Sequence, residues 1–167
     1  MSFTARAALM ILPTALLLAQ GVQAQDIVRH ASSNPNAPMS SAVQIPPSAT
    51  TYYLSGQVPA AVNPNAPRES REAFGDTETQ TISVLERIEA TLKPLGLGMK
   101  DVVKMQVFLV ADPQKNNKMD FRGFMAGYGK FFGKTQPNLP ARSVMEVARL
   151  ANDGWLVEIE VIAAKAR

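Results

Sequence analysis

Arg142 and Glu158 are the residues whose types and settings could do chemistry. Arg142 stands in Pro140-Ala141-Arg142-Ser143-Val144-Met145-Glu146-Val147-Ala148, and Glu158 in Val157-Glu158-Ile159-Glu160-Val161-Ile162-Ala163. Both stretches have the β-branched, apolar make-up of strands, so each writes a charge into an apolar element. An unpaired buried charge costs on the order of several kcal/mol, so each requires a partner: another side chain, or a ligand of opposite charge. A guanidinium is always charged and matches a carboxylate through two parallel hydrogen bonds. Arg142 therefore reads either as the anchor for the carboxylate of a small acid or as half of an internal salt bridge to Glu146, Glu158 or Glu160. Glu158 and Glu160 share one face of their strand. A carboxylate among apolar neighbours suits proton shuttling near neutral pH, or else it pairs structurally with Arg142, Arg149 or Lys104.

Other routes to chemistry are narrow. The chain has no cysteine, which excludes a thiolate nucleophile and thiolate metal sites. His30 is the only histidine and lies in a Pro/Asn/Ser-rich stretch, so a His-based triad or multi-His metal centre has no material. No clustered Asp/Glu motif suggests a metal held by carboxylates. Ser55-Gly56 lacks a base for nucleophilic work and reads as a tight strand end whose backbone N–H could meet a ligand. Gly123, Gly127 and Gly129 follow no strand, so they form no phosphate loop. The formal charge of +3 comes from scattered basic residues, without interleaved aromatics, and no nucleic-acid partner is expected.

The elements that must position these groups follow from pattern and punctuation. Thr51-Tyr52-Tyr53-Leu54-Ser55 reads as a strand ended by Gly56, and Pro59 to Gly75 as a loop. Asp76 or Thr77 caps a helix whose apolar positions Ile82, Leu85, Ile88, Ala90, Leu92 and Leu95 recur at helical spacing, with Gly96 and Gly98 closing it. Val102 to Val110 is a strand, and Asp112-Pro113 turns the chain. Phe121, Phe124, Met125, Tyr128, Phe131 and Phe132 predict a second helix over Met119 to Phe132, with its aromatic stripe in the core. Arg142 to Ala148 and Trp155 to Ala164 are the last strands, joined at Asn152-Asp153-Gly154. The expectation is an α+β layer fold: a mixed six-stranded sheet with two helices on one face.

At the N-terminus, Met1 to Arg6 carries one positive charge, Ala7 to Ala19 is apolar apart from Pro13 and Thr14, and Val22-Gln23-Ala24 offers a cleavage site. This is the plan of a secretory signal peptide over residues 1–24, with export to the periplasm. Its apolar run of about 13 residues is short of the roughly 20 that span a bilayer, so no stable membrane insertion is expected. Residues 25–48, broken by Asn34-Pro35-Asn36-Ala37-Pro38 and Ile45-Pro46-Pro47, read as a tail with a first strand, and residues 49–167 as the domain proper.

Several blocks taken together carry a resemblance. They are Leu54-Ser55-Gly56-Gln57-Val58-Pro59, Leu95-Gly96-Leu97, Asp101 to Leu109, Tyr128 with Phe131-Phe132, Pro140-Ala141-Arg142-Ser143 with Glu146-Val147-Ala148-Arg149-Leu150, and Val157-Glu158-Ile159-Glu160. In this order, from about Thr51 to the C-terminus, the chain resembles the Rid/YjgF/UK-type family of reactive-intermediate deaminases, also described as endoribonuclease L-PSP. The resemblance implies a chorismate-mutase-like fold and a homotrimer whose sheets form a central barrel, with ligand clefts between subunits. It implies hydrolysis of short-lived enamines and imines, such as 2-aminoacrylate, to 2-oxo acids and ammonia, without a cofactor. The substrate-anchoring arginine falls on Arg142 and the water-activating glutamate on Glu158, with the backbone around Ser55, Gly56 and Val144 lining the cleft. The chain departs from the pattern where an early Gly-Pro-Tyr aligns with Ala37-Pro38-Met39, an asparagine with Met125 and a cysteine with Val144. The loop from Pro59 to Gly75 is also longer. These replacements imply a more apolar pocket, and so a changed substrate or a lost activity. The alternative is a non-catalytic trimer that binds a small carboxylate or a protein client. A nuclease role has little chemistry to draw on in a chain with one histidine.

Overall fold

The computed structural model describes residues 26–134 and 136–166, so the leader read over residues 1–24 lies outside the described residues. Six strands and three helices follow in order: β1 (Val28–His30), β2 (Ala42–Gln44), β3 (Thr50–Gln57), α1 (Arg71–Phe74), α2 (Thr77–Leu92), β4 (Val102–Val110), α3 (Phe121–Tyr128), β5 (Ala141–Val147) and β6 (Val157–Lys165). The class is α+β with a mixed sheet, as expected, but the six strands do not share one sheet. Four form a sheet in the order β3-β6-β4-β5, and β1 and β2 form a separate antiparallel hairpin. Ile45-Pro46-Pro47 explains the division, because two successive prolines offer no N–H to a ladder and interrupt the chain between β2 and β3. The hairpin is tied down by side chains instead. Arg29 Nη2 donates to the carbonyls of Lys100 and Val102 at 2.8 and 3.3 Å, and Ser40 bridges in parallel to Ala141 at the sheet edge.

Within the main sheet β6 is antiparallel to both β3 and β4, and β4 is parallel to β5 across the α3 crossover. Val102, Met105, Val107 and Leu109 of β4, with Val157, Ile159, Val161 and Ala163 of β6, are buried in the core under the helices, the register shifting between Val102 and Lys104. Val84, Leu85, Ile88 and Leu92 of α2 and Phe124 and Tyr128 of α3 complete this core. The opposite face carries Lys104, Gln106, Phe108, Glu158, Glu160 and Ile162. There Tyr53 is 80% exposed, and no element of the described chain covers it.

The helices start where side chains satisfy their free N–H groups. Asp76 accepts from Thr79 N at 2.9 Å, and Asp120 from Gly123 N at 2.9 Å. A short 3-10 turn follows α2 and stops at Gly96, in the left-handed region at φ 71°. α3 is shorter than its aromatic stripe predicted. After Tyr128 the backbone tightens into turns at Gly129 and Lys130, while Phe132 stays buried by stacking on Tyr128, ring centroids 4.8 Å apart. Glycine weakens a helix interior, and here Gly127 is required by packing, since a Cβ would meet Thr81 of α2 at 2.8 Å.

Candidate functional site

The parallel pairing of β5 with β4 sets Arg142 opposite Met105, on the helix-covered side of the sheet. At this edge strand its side chain lies over α3, with the guanidinium carbon 4.3 Å from the centroid of the Tyr128 ring and 5.0 Å from that of Phe124. Arg142 Nη2 donates to Met125 Sδ at 3.4 Å. Its Nε and Nη1 are buried and have no hydrogen-bond partner among the described residues. No carboxylate pairs with it there, so the internal salt bridge to Glu146, Glu158 or Glu160 is not formed. Glu146, which shares its face, accepts instead from Met119 N at 2.8 Å. Burial lowers the Arg142 pKa from its usual range, and Tyr128 partly opposes the shift. Burial pushes the Tyr128 hydroxyl up to about 12, against the pull of Arg142. The result is a half-buried, partly dehydrated cation on an aromatic platform, a setting in which an incoming carboxylate binds far better than in water.

The N-terminal segment forms the wall beside this cation. Tyr128 Oη donates to Pro38 O at 2.8 Å, Ser40 Oγ to Leu139 O at 2.7 Å, and Ser40 N to Pro140 O at 3.0 Å. These bonds hold Met39 at a cavity of about 310 Å³, lined also by Ser32, Ser40, Lys104, Arg142 and Ser143.

Glu158 belongs to a second half. It stands opposite Phe108 on the uncovered face of the sheet. The β3–β6 register pairs Leu54 with Val161 and Gln57 with Ile159, so Ser55 and Gly56 together face Glu160 across a bulge. The Glu158 carboxylate lies over the bulge, where a Cβ on Gly56 would collide with its Oε1. No cation pairs with Glu158 or Glu160 among the described residues. Ser55 is exposed next to this group. Arg142 and Glu158 thus point from opposite faces of one sheet. A single copy of the chain brings together Ser55, Gly56 and Glu158, and separately Arg142, Met39, Met125 and Tyr128, but does not join the two groups.

The family model described as endoribonuclease L-PSP matches residues 30–165. The chain belongs to the Rid/YjgF family. TdcF of Escherichia coli K12, whose name places it among the reactive intermediate deaminases, is 32% identical over 114 residues, covering 68% of this chain and 78% of TdcF. A RutC family protein of Pyrococcus horikoshii is 35% identical over 113 residues, 68% of this chain and 78% of the relative. The crystal structure of E. coli TdcF with bound serine superposes with a TM-score of 0.54 at 32% identity, covering 69% of this chain and 80% of that one. YyfB of Yersinia pestis, a Rid family protein, superposes with a TM-score of 0.60 at 27% identity over 84% and 98% of the two chains.

Within this Rid chain the residues singled out from sequence fall in distinct places. Val144 pairs with Val107 and packs against the core, so it borders the Arg142 group through its backbone. His30 is exposed on β1, away from Arg142 and Glu158. Among the described residues no group of three or more His, Cys, Asp or Glu side chains could hold a metal, and no helix is long and apolar enough to cross a membrane. Sequence reasoning placed Phe124 and Tyr128 in the core and missed that they also carry the guanidinium. Their i, i+4 spacing was visible, but the strand that lays an arginine across them was not.

Proposed function

We propose that this Rid protein hydrolyses reactive enamines and imines that bear a carboxylate, such as 2-aminoacrylate, to 2-oxo acids and ammonia. The observation that carries the reading is Arg142, a half-buried guanidinium with two unpartnered nitrogens and no carboxylate beside it. Retaining such a group costs stability unless something of opposite charge arrives. The relatives named as reactive intermediate deaminases support the class of ligand. Because Arg142 and Glu158 leave opposite faces of the sheet, the working site requires two copies, Arg142 from one and Glu158 with Gly56 from its neighbour. The homotrimer that family resemblance implies meets this requirement and would also cover the open face around Tyr53.

In this scheme Arg142 grips the substrate carboxylate as a fork and sets the imine carbon against a water held by Glu158. The carboxylate of Glu158 takes a proton from the water as its oxygen adds to that carbon. It passes that proton to nitrogen to give the carbinolamine, then takes the hydroxyl proton and passes it to nitrogen as the C–N bond breaks, so that ammonia leaves and the carbonyl remains. The electrophile arrives already activated, so positioning and one proton relay suffice and no cofactor takes part. Met39 and Met125 beside Arg142 favour apolar substrate side chains. They also sustain a second reading, in which the same anchor binds a carboxylate without turning it over.

The test is ammonia and 2-oxo acid release from imines generated in situ by an amino-acid oxidase. Wild type should accelerate release, and Arg142→Ala and Glu158→Ala should each abolish the acceleration while leaving the oligomer intact. Binding of 2-oxo acids without turnover would select the second reading, and unchanged turnover in Arg142→Ala would overturn both.

A further inference from the structure

Met125 takes no part in the bond-making or proton transfer of the hydrolytic scheme, yet its sulfur is the side-chain atom hydrogen-bonded to the anchor. Met125 Sδ accepts from Arg142 Nη2 at 3.4 Å. A thioether is a weak acceptor, so the guanidinium remains free to prefer a carboxylate. Oxidation at sulfur weakens that preference. With a peroxide, the sulfur lone pair attacks one peroxide oxygen, the S–O bond forms as the O–O bond breaks, and water leaves. With hypochlorous acid, chloride and a proton leave instead. Either way the product is methionine sulfoxide, a polar group whose oxygen is a far stronger acceptor than the sulfur.

We propose that Met125 is an oxidation site that switches the carboxylate anchor off. The sulfoxide oxygen, carried on the atom already in contact with Nη2, takes the hydrogen bonds that Arg142 would give to a ligand. Nε and Nη1 have no hydrogen-bond partner among the described residues, so no other acceptor competes with the sulfoxide for the guanidinium. Burial shields Met99 and Met105, 6% and 0% exposed in the core, while Met119 and Met125 are half-buried and Met145 is 37% exposed; among the described residues the methionine that bonds Arg142 is Met125. Met39, 36% exposed on the cavity that Arg142 lines, also meets oxidants but makes no hydrogen bond to Arg142. The proposal rests on Arg142 being the carboxylate anchor, not on turnover.

The experiment treats the intact protein with graded hydrogen peroxide and maps sulfoxides by peptide mass spectrometry. Calorimetry then measures its affinity for 2-oxobutanoate. Affinity should fall about tenfold, the worth of one charge-assisted hydrogen bond, in step with sulfoxide at Met125. Methionine sulfoxide reductases should restore it. Met125→Leu should show the same affinity before and after treatment, and Met39→Leu should respond as wild type does. Unchanged affinity with Met125 fully oxidised, no sulfoxide at Met125 in the folded protein, or an undiminished response in Met125→Leu would each overturn the switch. Affinity of the untreated protein that is equal in Arg142→Ala would instead sink the anchor itself, and the switch with it.

Discussion

At the scale of single residues, the pairing of Arg142 with Tyr128 decides the character of the site. The ring supports the guanidinium by its face while its hydroxyl reaches past to Pro38, tying the N-terminal wall to the Arg142 platform. This has a consequence for pH. The folded Tyr128 pKa of about 12 lies above its ordinary value of 10.0, so the folded state holds this proton more tightly than the unfolded chain. The stability it contributes is complete below pH 10.0 and is lost as pH rises toward about 12. Unfolding midpoints measured across alkaline pH should therefore fall in wild type. The fall should be shallower in Tyr128→Phe, which should also lose about 1 kcal/mol at neutral pH with the bond to Pro38. Equal alkaline slopes would contradict the assignment.

At the scale of elements, the bulge in β3 and the cap of α2 each do a separable job. The bulge leaves room at Gly56 for the Glu158 carboxylate, which is the mobile end of a side chain. Gly56→Ala should therefore push the carboxylate aside with little loss of stability, while lowering turnover at least about tenfold, as misplacement of a general base does. A large drop in melting temperature with unchanged turnover would show that the glycine serves the fold instead. Asp76 is held below the usual carboxylate range, chiefly by the Thr79 N–H it accepts. Its stabilisation is present above the unfolded value of 3.8 and is lost as pH falls through the lowered folded value. Asp76→Ala should cost about 1 kcal/mol at pH 7 and progressively less as acid titrates the wild-type cap, a difference read from paired denaturant titrations.

At the scale of the whole molecule, Arg142 and Glu158 leave opposite faces of one sheet, so the proposed hydrolysis would make assembly part of the chemistry. Arg142→Ala and Glu158→Ala chains should each be inactive alone. Co-expressed and randomly mixed in a ring, they should regain about a quarter of wild-type turnover, the share of boundaries that join an intact arginine to an intact glutamate. Turnover that stays at zero in verified mixed oligomers would place both residues in one copy's site and refute the shared cleft.

Much of this protein was legible in its residues because the signals are local. The apolar run of β4, the Asp76 cap and the Gly96 stop depend on neighbours a few positions away, and all three stand where the pattern put them. Strand periodicity also determined that Arg142 and Val144 share a face, as do Glu158 and Glu160. What periodicity cannot determine is whether those are the same face of the sheet. That depends on how β5 and β6 register against β4, where a slip of one residue would reverse the answer. Tertiary pairing alone decided that Arg142 turns toward α3 and Glu158 away from it. It also decided that the internal salt bridge is not made and that two rings expected only to fill the core carry the Arg142 guanidinium. The early hairpin stayed hidden for the same reason. Its strands are three residues long and are held by Arg29 and Ser40 to residues far along the chain, and no local pattern encodes a contact at that distance.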